Sequence, residues 1–165
     1  MPEVNKSSRH SKITGDFAEH LVLYWLSKHG LECARVDHVG MDLIARRDGS
    51  IRPMGISVKS RSRNPGTEGT YLSIPNDNFD KLELACAAFG CEGFFAIVVD
   101  EADRIDAYIL KSSVLEEIHP RRLRVCSWKM SSSWRKFYDS DDRIIKFGFG
   151  TTTSQWWEVP ELPQR

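Results

Sequence analysis

The chain has 165 residues, 41% of them hydrophobic and 28% charged, enough to bury the core of one domain and unlike a disordered or fibrous polymer. Its longest apolar stretch, Phe94 to Val99, is far short of a membrane span, and Met1 to Lys12 lacks the apolar centre of a secretion signal. A cytoplasmic protein that does not enter a membrane is expected. Basic and acidic residues balance at 23 each, but the charge is zoned: net +4 over residues 1 to 63, −8 over 64 to 117 and +4 over 118 to 165, which permits a basic face on a neutral chain.

Residues 1 to 12 read as a polar arm. Thr14 can cap a helix with Asp16 in its first turn, and Ala18, Leu21, Val22, Trp25 and Leu26 then recur at steps of three and four until Gly30 supplies the stop. Leu31 to Val36 and Asp42 to Arg47 read as strands. Asp48, Gly49 and Ser50 make a tight turn into a third strand, Gly55 to Arg61, so residues 42 to 61 form a hairpin. Tyr71 to Ile74 is another short strand. Asn76 or Asp77 can cap a second helix that places Phe79, Leu82, Cys86 and Phe89 on one face and ends at Gly90.

Phe94 to Val99 holds no polar residue and fits a central strand covered on both faces. Arg104 to Leu110 is its expected neighbour, and Val114 to His119 is a short helix stopped by Pro120. Trp128, Trp134, Trp156 and Trp157 predict a β-rich or irregular extension packed on the core, since four indoles are too apolar to leave in water. The expected organisation is an arm over 1–12, an α/β core with a mixed sheet over 13–119, and a tryptophan-rich extension over 120–165. Cys33, Cys86, Cys91 and Cys126 form no metal-type doublet and read as reduced core residues.

In the hairpin, side chains two apart share a face. With Gly49 and Ser50 central in the turn, Asp42 stands opposite Ser57; with Asp48 and Gly49 central, it stands opposite Gly55. Either register puts Asp42, Ser57 and Lys59 on one face. A carboxylate beside an ammonium in this setting is either a cross-strand ion pair or part of a site. Arg46, Arg47, Lys59, Arg61 and Arg63 form one basic cluster, and Arg121, Arg122, Arg124, Lys129, Arg135 and Lys136 a second.

Three segments carry a family resemblance: Gly15-Asp16-Phe17-Ala18-Glu19 at the start of a helix, Gly40-Met41-Asp42-Leu43-Ile44 opening a strand, and Ile56-Ser57-Val58-Lys59-Ser60 in the next. In this order the chain resembles the PD-(D/E)XK nuclease superfamily, in the style of restriction-endonuclease-like proteins of the archaeal Holliday-junction resolvase type. The resemblance implies a restriction-endonuclease-like core of helix, three strands, helix and strand. It gives Asp42 the part of the metal-binding aspartate, Lys59 that of the lysine beside the attacking water and scissile phosphate, Glu19 that of the helix glutamate completing the site, and the Val58 carbonyl that of a backbone ligand.

Ser57 departs from the family, which usually has a carboxylate there; serine is a poor Mg²⁺ ligand. The implied function is a Mg²⁺- or Mn²⁺-dependent DNA endonuclease, on branched or damaged DNA among other substrates, or a degenerate relative of one. The alternative is a catalytically inactive nucleic-acid-binding or protein-interaction module on the same fold. Ser60, Arg61 and Arg63, with Arg46 and Arg47, are the expected contacts to DNA phosphates. DNA is the expected partner, and a homodimer is an open alternative to a monomer. His20 and His38 are secondary candidates as ligands or proton carriers, and the Trp156-Trp157 pair as a stacking surface, with packing preferred.

Overall fold

The structure, a computed structural model, describes residues 6–64, 66–67, 69–101 and 103–151. Its centre is a six-stranded sheet in the order β1-β2-β3-β5-β6-β8. The strands are β1 (Glu32–His38), β2 (Met41–Arg46), β3 (Met54–Ser62), β5 (Glu92–Glu101), β6 (Arg104–Lys111) and β8 (Ile145–Gly150). Only β3 and β5 run parallel, so the sheet is mixed. Helix α1 (His10–Lys28) covers one face, where Ala18, Val22 and Leu26 meet Leu43, Ala45, Ile56, Ala96, Val98 and Ile109.

The other face carries α2 (Asn76–Phe89), α3 (Ser112–Ile118), α4 (Ser132–Ser140) and a two-stranded sheet of β4 (Leu72–Pro75) and β7 (Val125–Trp128). There Phe79, Leu82 and Cys86 pack with Phe95, Ile97, Val99, Tyr108 and Leu110. β5 is thus apolar from Phe94 to Val99 because its alternating side chains enter two different cores. No helix among the described residues is long and apolar enough to cross a membrane.

Several expected boundaries move, each for a local reason. α1 starts at His10, because the Thr14 hydroxyl donates back to the His10 carbonyl (2.7 Å) as a mid-helix threonine does and leaves the cap to Arg9. Its end follows expectation: Gly30 has φ +82°, and the Leu31 N–H closes onto the Leu26 carbonyl. The tight turn at 48–50 lies inside a longer connection over 47–53, since Pro53 offers no N–H to a ladder. Phe89 is not on the buried face of α2. It stands exposed in the last turn, edge-on to His38 at 5.2 Å.

Cys86, Cys91 and Cys126 are buried thiols, whereas Cys33 is only half-buried because β1 is the edge of the sheet. Trp128 is fully buried and stacks on Tyr138 (4.0 Å, 15°), and Trp134 packs beside His119 at 4.5 Å. Trp156 and Trp157 lie outside the described residues. β8 does more than cover the core: it is hydrogen-bonded along β6 from Ile145 to Gly150 and stacks Phe147 on Trp25 (4.1 Å, 9°).

Candidate active site

The β2–β3 ladder pairs Ala45 with Met54, Ile44 with Gly55 and Leu43 with Ile56. This is the register that sets Asp42 opposite Ser57. Beyond Leu43 the ladder gives way to a side-chain bond: Asp42 Oδ2 accepts the N–H of Val58 at 2.6 Å. The peptide fixes one carboxylate oxygen and leaves the other without a hydrogen bond among the described residues. Past this point β3 continues without a β2 partner on that edge while its other edge stays paired along its full length with β5.

Two residues further along β3, Lys59 is half-buried, and its ammonium makes no hydrogen bond or ion pair among the described residues. Burial lowers its pKa from the ordinary lysine value. The Asp42, Asp77 and Glu19 carboxylates act in the opposite sense and Lys81 in the same sense. The plain cross-strand ion pair between Asp42 and Lys59 is therefore not formed. A desolvated cation in the field of three carboxylates, bonded to none of them, is suited to receive an external anion.

Glu19 comes from α1, and its Oε2 accepts two donors from Arg35 of β1, Nη2 at 2.6 Å and Nε at 3.1 Å. It is in the field of Lys59 but is held by a guanidinium. Ser57 is buried at 2% exposure and adds no charge. The far wall is α2, where Asp77 Oδ2 accepts Lys81 Nζ at 2.6 Å. The seating of α2 depends on Gly40, which has φ +92° and would drive a Cβ to within 2.4 Å of the Lys81 carbonyl oxygen. The nearness of Asp77 and Lys81 to Lys59, and the hold of Arg35 on Glu19, escaped the sequence reading. Gly40 was the available signal for the first; nothing in the local pattern marks the second.

The expected nucleic-acid contacts divide. Arg46 and Arg47 are exposed at the far end of β2, Arg61 is exposed at the far end of β3, and Ser60 is half-buried between Lys59 and Arg61. Arg63 is not a surface residue: it is 5% exposed, its N–H is bound to the Asp100 carbonyl, and its Nη1 reaches the Thr67 carbonyl at 3.4 Å. That last rung of the β3–β5 pairing turns the side chain inward. In the second basic cluster Arg121 is neutralised by Asp80 and Glu116. His20 and His38 are exposed, with Nδ1 against the carbonyls of Asp16 and Val39.

Among the described residues no group of three or more His, Cys, Asp or Glu side chains is arranged to hold a metal ion. The described residues thus build no dedicated cage for a dication. The donors fit the sparser mode in which Mg²⁺ takes one or two carboxylates and completes its shell with water and substrate phosphate.

No protein-family model matches the sequence, and no curated protein sequence is similar to it. Solved structures do resemble the fold. Archaeoglobus fulgidus Hjc, a Holliday junction resolvase from an archaeal hyperthermophile, superposes with a TM-score of 0.54 at 21% identity, over 74% of this chain and 93% of that one. A bacterial homing endonuclease, I-Ssp6803I, gives 0.48 at 14% identity, over 73% and 79%. The chain thus has the restriction-endonuclease-like fold, mixed central sheet included.

Proposed function

We propose that this chain is a divalent-metal-dependent DNA endonuclease with a reduced acidic set, in which Asp42 and Lys59 carry the chemistry and Glu19 assists. The observation that carries the reading is the relation of Asp42 to Lys59. They share a face of neighbouring strands, the carboxylate is oriented by the Val58 N–H, and the half-buried ammonium has no partner of its own. A structural ion pair would have closed on itself. The fold it shares with a Holliday junction resolvase supports the same reading.

Asp42 and the Val58 carbonyl would hold Mg²⁺ or Mn²⁺, joined by Glu19 when Arg35 releases it. When bound, the ion would supply Lewis-acid polarisation of the phosphoryl group and a water of lowered pKa. Lys59 would meet the phosphate oxygen on which negative charge grows, a fixed charge worth more in its desolvated setting than in water. Ser57 places a small neutral group where a second carboxylate would strengthen cation binding. Arg46, Arg47, Ser60 and Arg61 would hold the flanking phosphates.

The neutral Ser57 and the guanidinium on Glu19 favour a second reading, a DNA-binding module that has lost cleavage. One experiment separates them: incubation of labelled duplex, single-stranded and branched DNA with Mg²⁺ and with Mn²⁺, for the parent chain and Asp42→Ala. Metal-dependent products lost in Asp42→Ala support the endonuclease. Binding without products from any substrate supports the module.

A further inference from the structure

Beyond Lys59, β3 runs into a polar recess of about 530 Å³ lined by Lys6, Arg61, Ser62, Arg63, Asn64, Thr67, Thr70, Tyr71 and Ser73. We propose that this recess binds a nucleotide of an unpaired DNA strand, so that the preferred substrate is a duplex with a single-stranded arm. The proposal deepens the DNA-directed reading above and rests on it.

Three observations carry it. The first is charge: the Lys6 ammonium and the exposed Arg61 guanidinium stand on the recess, Arg63 being turned inward and bonded within the protein, and no carboxylate lines it among the described residues. Among the described residues Asp100 accepts the Ser62 hydroxyl at 3.0 Å and lines the adjoining groove beside His10, Ile13, Phe17 and Arg61. The Lys6 ammonium spends one donor on the Ser62 carbonyl (2.9 Å) and keeps two for an anion. Lys6 and Arg61 thus present donors suited to a phosphate.

The second is the chemistry of the walls. The Thr67 and Thr70 hydroxyls donate their protons to the carbonyls of Asn64 (2.7 Å) and Thr67 (2.9 Å). Each hydroxyl therefore meets a ligand as an acceptor, complementary to the exocyclic amino groups of bases. Tyr71 stands at the same wall with 57% of its surface exposed. An exposed ring face recognises a base by stacking, and only a base that has left the duplex stack offers its face.

The third is position. Ser62, on the wall of the recess, lies three residues beyond Lys59 on β3, about 10 Å at the usual rise. A strand whose phosphate rests on Lys59 would reach the recess a few nucleotides further on. The volume is in the range of small-ligand sites and suits one nucleotide.

Fluorescence anisotropy in EDTA tests this with the full chain and three labelled probes: an oligothymidylate, a blunt duplex, and the same duplex with unpaired arms. The parent is expected to bind the forked probe about tenfold or more tighter than the blunt one. Tyr71→Ala should erase that preference while keeping the blunt affinity, Tyr71→Phe should retain it, and Arg61→Ala should weaken all three probes. Should Tyr71→Ala not fold, Tyr71→Leu keeps the bulk without the π face and carries the same expectation. Equal affinity of the parent for forked and blunt probes, or a preference that survives loss of the Tyr71 ring, overturns the proposal. Because the readout is metal-free binding, it stands apart from the cleavage assay: a chain that cuts DNA but shows no fork preference loses only the recess, and one that prefers forks without cutting loses only the endonuclease.

Discussion

Arg35 of β1 places two guanidinium nitrogens on a single oxygen of Glu19, bridging the edge strand to the helix above it. In the proposed endonuclease this bond occupies the carboxylate that would complete the cation site. Arg35→Ala should release Glu19 and raise Mn²⁺ affinity and any cleavage rate, at a stability cost of no more than about 1 kcal/mol because the pair is partly exposed. Isothermal titration with Mn²⁺ in the presence of a short duplex checks this. Unchanged affinity would mean that Glu19 is a structural partner of β1 and nothing more.

Ser57→Glu should restore the second carboxylate. In EDTA the variant is expected to lose about 1–3 kcal/mol, since a charge enters a buried position beside Asp42. Mn²⁺ should then raise its melting temperature more than that of the parent. A melt that is depressed and indifferent to Mn²⁺ would show that the two side chains do not share a cation.

Lys59→Met should keep the stability within about 1 kcal/mol of the parent, because it removes a desolvated ammonium that has no partner, while lowering cleavage by about a hundredfold or more. The sign with pH follows from the lowered pKa. Between the folded and unfolded values the unfolded chain binds more protons, so the parent gains stability as pH rises through that alkaline window, and Lys59→Met should lose this gain. Denaturant melts at several alkaline pH values read it directly.

His119 governs the acid side. Its pKa is lowered to about 4, first by burial and then by Lys129. Tyr138 gives its only phenolic proton to the Lys129 carbonyl (2.8 Å), so the 2.6 Å contact requires His119 Nε2–H to donate to the phenol oxygen. The imidazolium would carry the same Nε2–H, so it is burial and the Lys129 charge, not this bond, that favour the neutral ring. Stability should fall as pH drops from about 6.5 to about 4, by roughly 3 kcal/mol in all. His119→Gln should flatten this slope in denaturant titrations; an unchanged slope would assign the acid sensitivity to other groups.

Gly40→Ala tests the seat of α2. The left-handed backbone and the 2.4 Å approach to the Lys81 carbonyl leave no room for a methyl group, and a carbonyl in a helix cannot step aside. A loss of at least about 2 kcal/mol is expected in chemical denaturation, against about 1 kcal/mol for Gly49→Ala, where a left-handed φ of +78° strains the alanine but nothing stands within 4 Å of its methyl group.

The sequence made the central hairpin legible through its alternation. Period-two alternation put Asp42, Ser57 and Lys59 on one face in either of two registers, and the Leu43–Ile56 pairing selects the one that sets Asp42 opposite Ser57. β5 was legible from its unbroken apolar run, which needs cover on both sides. What stayed hidden depends on contacts between distant segments. Arg35 and Glu19 are 16 residues apart and meet only because an edge strand passes under α1. Arg63 looked like a surface cation until its backbone was tied to Asp100. β8 carries glycines at 148 and 150 and little β-branching, so only its fit along β6 makes it a strand.

That fit of β8 has a consequence for how the chain comes to be folded. The long inner strands β3 and β5 can pair as soon as residue 101 has been made, yet the outer edge of β6 stays uncovered until residues 145–150 follow. During this interval β6 offers a row of unpaired amides alternating with apolar side chains, the kind of edge that recruits a foreign strand. The glycine at 148 lies so close to Asp106 that a Cβ there would approach its carboxylate oxygen to 2.4 Å. A side chain at that rung would have to push the Asp106 carboxylate off its bond to Arg104, so β6 carries in Asp106 a bias toward its own late partner over a stranger.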